Sequence, residues 1–455
     1  MTSVLVRGGT VVTEEATLRA SILIRDDIVE RVLSADETVV ADEIVDASGK
    51  LVMPGGVDLH CHFREPDPQS REGFDTGSAG AVAGGITTVV EMPQAVPPAT
   101  TYAGFMAKRE RASAKSYADF ALWAGVTGDT LGELRPMHDA GAAAFKAYMI
   151  AGSPVLPRVD DGHLFEAMRI IATWDGVIAV HAENEELNAF LTAKLRGSGR
   201  VDPGAFVEAR PILGECEAIR RAGHFATATG CRLHILHASS GTSVNAVADL
   251  RRVGCRATVE TCPHYLLLSE DDLKSLGPYA KGTPPVRSRQ EVDALWGAIG
   301  EGKVDILASD HSPTNQSEKD RGQYDIFEAS NGLVGNETML QLVLNEAVYG
   351  RGLTPSIIAR MSATNPAKLI GIYPRKGTLR AGSDADLAIY DLDRPWHVDK
   401  ERLHGRQKWT PYHGRQSRVA LETVLLRGTK VFEHGAILTS PGFGKFVRPE
   451  RESGR

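Results

Sequence analysis

The sequence predicts a (β/α)8 barrel carrying a composite β-sandwich, and three observations predict it. Eight short apolar runs alternate with helical segments between about residues 55 and 370, each run is near-continuously hydrophobic, and strand-and-turn patterning occupies both chain ends. The runs are VDLHCHF (57–63), ITTVVEM (86–92), DFALWAG (119–125), AAFKAYM (143–149), VIAVHAE (177–183), RLHILHA (232–238), ATVETCP (257–263) and VDILASD (304–310). Helical candidates between them include TLGELRPMHDAG, GHLFEAMRIIATW and EVDALWGAIGEG. Alternation of this kind builds parallel βαβ units, and continuous hydrophobicity fits strands buried on both faces. A doubly wound open sheet shares the rhythm, but no glycine-rich phosphate loop follows the first run.

The chain ends need a home. SVLVRGGTVVT, ASILIRDDIVERVL and EIVDAS read as strands near the start, and LAIYDLD and LETVLLRGTKVFEHGAIL repeat the pattern late. Residues 1–54 and 377–455 are therefore expected to fold together as one β domain beside a barrel over 55–376. Two separate caps would each be small for an independent core. The charged tail RPERESGR is expected to fray.

Composition narrows the function classes. The 455 residues are 42% hydrophobic and 24% charged, as globular chains are. The net charge is −7 with no dense basic tract, which argues against nucleic-acid binding through phosphate neutralisation. No apolar run approaches the ~20 residues that span a bilayer, and the N-terminus has no signal-peptide pattern. Five cysteines (61, 216, 231, 255, 262) without a CxxC suggest neither a disulfide framework nor a zinc ribbon. The expectation is a soluble cytoplasmic protein.

Chemistry concentrates where the runs end. His60 and His62 lie two apart at the close of the first, so both point to one face. Lys146 lies in the fourth run, His181 ends the fifth, His237 the sixth, and Asp310 the eighth, followed by His311. These are C-terminal strand ends, where barrel active sites assemble. An isolated HxH pair, a single His237 with an out-facing His234, or SDHSP as a turn would each be unremarkable. Six potential ligands at such ends together point to a metal site. His138, His163, His224, His397, His404, His413 and His434 fall in helices or loops and read as surface residues.

Lys146 is the unusual member. An ammonium cannot ligate a metal, and burying it unpaired is costly. A neutral amine reacting with CO2 gives a carbamate, N6-carboxylysine, whose two oxygens can bridge two metals. The plainer alternative pairs Lys146 with Glu91 or another barrel-end carboxylate. Four imidazoles with oxygen donors suit two divalent ions, Zn2+ first, with Mn2+, Co2+ or Fe2+ open.

The ordered series MPGGVDLHCHFREP, GGITTVVEMP, AAFKAYM, VIAVHAENE, RLHILHASS, ETCPHYL, KGTPPVRS, SDHSP and ATNPAKLIGIYPRKGTLRAGSDADL resembles the amidohydrolase superfamily across nearly the whole chain. The likeness is to its cyclic amidohydrolase branch of hydantoinases, dihydropyrimidinases, allantoinases and dihydroorotases. It implies a binuclear centre with His60 and His62 on one metal, carboxylated Lys146 bridging, His181 and His237 on the second, and Asp310 touching the first. Asp310 would also be the catalytic residue, taking the proton of the attacking water and returning it to the leaving ring nitrogen. Hydrolysis of a cyclic amide by a homo-oligomer, tetramer or dimer, is implied.

The substrate motifs diverge. Arg64 in HFREP resembles the dihydroorotase arginine that clasps a carboxylate, but Gln94 stands where that group has asparagine. EMP, ETCPHY, SDHSP and WTPYHG look like allantoinase; LGELRPMHDAGAAAFKAYM and GIYPRKGTL look like an L-hydantoinase. The dihydropyrimidinase tyrosine five residues after the lysine is replaced by Ala151, with Tyr148 on the same side as Lys146. Thr261, His264 and Asn331 match positions that line the ring pocket. An allantoinase- or hydantoinase-like activity is expected, with dihydroorotase as the alternative and Glu65 as a possible protein partner for Arg64. Asp160 or Asp161 reads as a helix N-cap, and Cys61 as packing. Rivals are a non-catalytic dihydropyrimidinase-like scaffold, against which all six filled ligand positions speak, and a metalloenzyme acting on an exocyclic amide or an amine, which would not need the lysine.

Overall fold

The computed structural model describes residues 3–35, 37–153 and 155–450. The N-terminal segment forms β1 (Ser3–Val12), β2 (Thr17–Arg25), β3 (Ile28–Ser34), β4 (Glu43–Asp46) and β5 (Leu51–Pro54). Strand β1 runs parallel to β4 through Val4–Arg7 and to β5 at Thr10 and Val11, with a bulge between. Gly8 has φ +74°, and a Cβ on Gly9 would lie 2.6 Å from the Val52 side chain. Only glycine lets the strand kink and change partners there.

The barrel follows: β6 (Gly56–Cys61), β7 (Ile86–Glu91), β8 (Asp119–Leu122), β9 (Ala124–Gly125), β10 (Phe145–Tyr148), β11 (Val177–His181), β12 (Arg232–Ile235), β13 (Ala257–Thr261) and β14 (Ile306–Leu307). All adjacent pairs are parallel. Strands β8 and β9 are one run interrupted at Trp123, whose indole donates to the Leu59 carbonyl at 2.7 Å. The circle closes between Cys61 and His311, where the His62 N–H donates to the His311 carbonyl at 2.7 Å. Every other residue of successive strands (Val90 and Met92, Ala121 and Trp123, Val177 and Ala179) fills the interior. The eighth run is strand only at Ile306–Leu307, because the chain turns out of the ladder before Asp310. The three helical candidates are helices at Leu134–Ala140, Asp161–Ala172 and Arg289–Gly300. Asp160 caps the second, accepting from the His163 N–H at 2.9 Å.

The C-terminal segment supplies β15 (Leu387–Asp391), β16 (Trp396–His397), β17 (Gln416–Ser417), β18 (Ala420–Leu426), β19 (Thr429–Glu433) and β20 (Ala436–Ile437). β15 inserts between β5 and β18, so one nine-stranded sheet holds strands from both ends, while β16 and β17 pair separately. Its core joins Val6, Val11, Ile22 and Val52 to Leu387, Ile389 and Leu425. Residues 451–455 of the tail expected to fray lie outside the described residues.

Candidate metal centre

His60 is the penultimate residue of β6, within a register irregularity between Asp58 and Cys61. Asp58 fixes this end by accepting the Ser309 N–H at 2.9 Å. The Nε2 atoms of His60 and His62 stand 3.1 Å apart. Asp310 Oδ1 lies 3.2 Å from the first and 3.4 Å from the second. These three residues offer ligand atoms all within 4.8 Å of one another, a grouping able to hold a metal ion. Cys61, between the histidines, faces the other way and is packed into the core outside the barrel.

Three residues around this point have left-handed backbones: Arg64 (φ +57°), His237 (φ +39°) and Asp310 (φ +44°). Such conformations cost energy in non-glycine residues and collect at functional sites. The His237 ring centroid lies 4.4 Å from that of His181 and 5.4 Å from that of His60. Nδ1 of His62 and Nδ1 of His237 are buried without a hydrogen-bond partner among the described residues.

Lys146 projects from β10 into the same region, fully buried, and its Nζ also lacks a hydrogen-bond partner among the described residues. The amine sits 4.3 Å from the centre of the Tyr148 ring. Burial lowers its pKa to about 7. The pairing with Glu91 that the sequence left open does not form. Glu91 binds Lys108 and accepts the N–H groups of Phe63 and Arg64 at 3.0 and 2.9 Å. Orphaned imidazole nitrogens, a neutral-prone lysine and a carboxylate fit a divalent cation far better than a sealed apolar core.

Two buried carboxylates hold the histidines of this cluster, and neither was singled out in the sequence. Glu183 takes His181 Nε2 at 2.7 Å and Arg210 at 2.8 Å. Burial would raise its carboxyl, but Arg210 and His181 keep it at about 2. Glu260 accepts from Nδ1 of His60 and, at 3.1 Å, from Nε2 of His234. His234 is therefore not an out-facing partner of His237: it is fully buried, with Thr258 on its other nitrogen at 2.8 Å. A glutamate inside a buried strand was the available signal for Glu260, and its place two residues after His181 the signal for Glu183. His138 departs from its surface reading too, buried with its ring 4.7 Å from that of Trp174. His311 turns away to Glu72, 3.5 Å off.

A cavity of about 620 Å3 opens over the cluster, lined by His60, His62, His181, His237 and Asp310, with Arg64, Tyr148 and Asn331 on its walls. Arg64 donates to the Pro313 carbonyl at 2.6 Å and to Ser312 Oγ, and Glu65 turns instead to Lys115. Gln94 donates to the Tyr148 hydroxyl at 2.7 Å. Thr261 and His264 do not line the cavity. Thr261 donates to the Ala238 carbonyl at 3.0 Å, and His264 is buried in a second potential ligand grouping with Cys262 and Asp310.

An amidohydrolase family model matches residues 51–431. The chain belongs to that family. It is 39% identical to an L-hydantoinase of Paenarthrobacter aurescens, covering 98% of both chains, and 38% identical to an allantoinase of Solibacter usitatus, covering 99% of this chain and 98% of that one. Among solved structures, the L-hydantoinase of Arthrobacter aurescens superposes with a TM-score of 0.96 at 39% identity over 98% of this chain and all of that one. The dihydropyrimidinase of Brevibacillus agri gives 0.92 at 28% identity over the full length of both. The fold is thus a TIM barrel with a β-sandwich domain.

Proposed function

We propose that this protein is a metal-dependent hydrolase that opens the ring of a cyclic ureide or imide, with allantoin or a 5-substituted hydantoin as first-ranked substrates. The observation that carries the reading is Lys146: a buried amine without a hydrogen-bond partner among the described residues, close enough for its charge to act on His181, His237 and Asp310, which line a substrate-sized cavity. Carboxylated by CO2 with release of a proton, it would become an anion, which bound divalent cations could pair. His60, His62 and Asp310 would hold one divalent ion and His181 and His237 the second, with Lys146 between; Zn2+ suits this donor set. Bound there, such ions lower the pKa of a shared water and polarise the ring carbonyl.

The chain's own groups do the rest. Asp310, kept well below the usual carboxylate range by His60, His62 and His237 despite its burial, is ready to accept a proton from the attacking water. It returns that proton to the ring nitrogen as the C–N bond breaks. Tyr148, steadied by Gln94, stands on the cavity wall beside Lys146, and Asn331 offers polar groups to the ring. Thr261 supports the strand end and leaves ring contact to its neighbours.

Arg64 favours a second reading, dihydroorotate: it lines the cavity, and among the described residues its hydrogen bonds go to a carbonyl and a hydroxyl rather than a carboxylate. Turnover of allantoin, hydantoins, dihydrouracil, dihydroorotate and phthalimide, measured in one panel, tests the ranking. Hydrolysis of none of them would defeat the reading. The proposal extends to a cytoplasmic homo-oligomer, tetramer or dimer, with the domain divisions at 54/55 and 376/377. Five buried free cysteines support a reducing compartment, and no helix among the described residues is long and apolar enough to cross a membrane.

A further inference from the structure

Asp310 belongs to two ligand groupings. Besides His60 and His62, it stands with Cys262 and His264 so that one ligand atom from each lies within 4.8 Å of the others. Cys262 directly follows β13 and is a fully buried free thiol. His264 is 2% exposed, and its Nδ1 has no hydrogen-bond partner among the described residues. Burying an unsatisfied ring nitrogen is costly, so this one calls for a ligand. The other cysteines do not share the setting. The thiols of Cys61, Cys231 and Cys255 are turned to backbone carbonyls, and among the described residues no other cysteine joins such a grouping.

We infer that Cys262, His264 and Asp310 form a second site, sharing Asp310 with the first, for a thiophilic divalent cation of the zinc and cadmium type, and that filling it inhibits the enzyme. One sulfur, one imidazole nitrogen and one carboxylate oxygen make a donor set that selects such cations over magnesium or calcium. As the sulfur–metal bond forms, the thiol proton leaves to solvent. The resulting thiolate and the Asp310 carboxylate balance the two charges of the cation. Asp310 Oδ1 already faces His60 and His62, and the carboxylate has a second oxygen to offer. A cation held there ties up the group that moves the proton in the proposed reaction. The inhibition rests on that reading; the binding does not.

The test adds Cd2+ to the metal-replete enzyme. The wild type should take up one further ion per chain, develop a thiolate-to-cadmium charge-transfer band in the near ultraviolet, and lose turnover. Cys262→Ser should lose the extra ion and the band and keep its turnover at the same Cd2+ concentration, while Cys61→Ser should behave as wild type. A band undiminished in Cys262→Ser overturns the site, and equal inhibition of both proteins overturns its inhibitory role. If Cys262→Ser does not fold, cadmium NMR of the wild type decides: a resonance from a site with one sulfur donor supports the inference, and its absence ends it. Should no cyclic amide be hydrolysed, the proposed reaction falls, and the band and resonance still decide the site.

Discussion

Glu260, at the end of β13, meets Nδ1 of His60, at the end of β6 and 200 positions away in the chain. The same carboxylate accepts from His234 Nε2 and from the backbone N–H of His237, each at 3.1 Å. Burial would raise this carboxyl, yet His60 and His234 hold it at about 2. As an anion it keeps the His60 proton on Nδ1 and leaves Nε2 to face His62 and Asp310. Partners of this kind contribute roughly 10–100-fold to metal affinity. Glu260→Gln should weaken metal binding by about that factor in a chelator competition titration. Unchanged affinity would remove Glu260 from the centre.

Lys146→Ala should abolish turnover, because in the proposed centre it removes the carbamate that would stand between the His60–His62 and His181–His237 pairs. Short carboxylic acids added to the variant should restore part of the activity by standing in for the carbamate. Metal analysis should give two ions per chain in active wild-type protein. A single tightly held ion in fully active enzyme would end the binuclear reading.

Asp310→Asn retains an oxygen ligand and loses the base. Metal should stay largely in place while kcat falls on the order of 10^2 or more, the scale of a lost general acid/base. Near-normal turnover by this variant would assign the proton transfer elsewhere.

Lys376 joins the two parts of the molecule. Its fully buried ammonium contacts Asp119 of β8 at 2.6 Å, Asp384 at 2.9 Å and Asp386, next to β15, at 2.8 Å, and Arg427 also reaches Asp119. Lys376→Met leaves these carboxylates without their shared cation. Removing one partner of a buried ion pair costs about 3–5 kcal/mol, so the urea midpoint should drop by a clearly measurable amount. A midpoint within error of wild type would show that Arg427 alone satisfies the cluster.

Much of this was legible in the sequence because it is local. Near-continuous apolar runs between helical segments give buried parallel strands, and residues where such runs end face the active end of a barrel, so His60, Lys146, His181, His237 and Asp310 could be placed before any coordinates. Contacts made across the barrel could not. Glu260 looks like one more strand residue until folding brings it to His60, and His234 looks outward only if its strand phase is misjudged by one residue. The fate of Arg64 depends on Ser312 and Pro313, about 250 positions away, and Glu65, its neighbour in sequence, is directed to Lys115 instead. Thr261 and His264 sit at the right strand end, but their side chains turn behind the cavity wall.

Arg64 gives the last prediction, which concerns substrate. Its backbone is held in the left-handed region with its N–H on Glu91, so the side chain is aimed into the cavity by the same loop that carries His62. Burial lowers the guanidinium pKa, and arginine side chains keep their charge in proteins. With two donors on neutral oxygens, the fork is partly occupied, which suits a neutral ureide passing beside it. A substrate carboxylate would have to displace the Ser312 contact to bind both arms. Arg64→Ala should therefore leave kcat/KM for allantoin or hydantoins within a few-fold of wild type. If dihydroorotate alone is turned over, and the substitution raises its KM with kcat little changed, the arginine is a carboxylate clamp and the ranking reverses. The comparison needs both substrates on both proteins at one pH, since a KM effect on the anion alone separates recognition of its charge from damage to the loop.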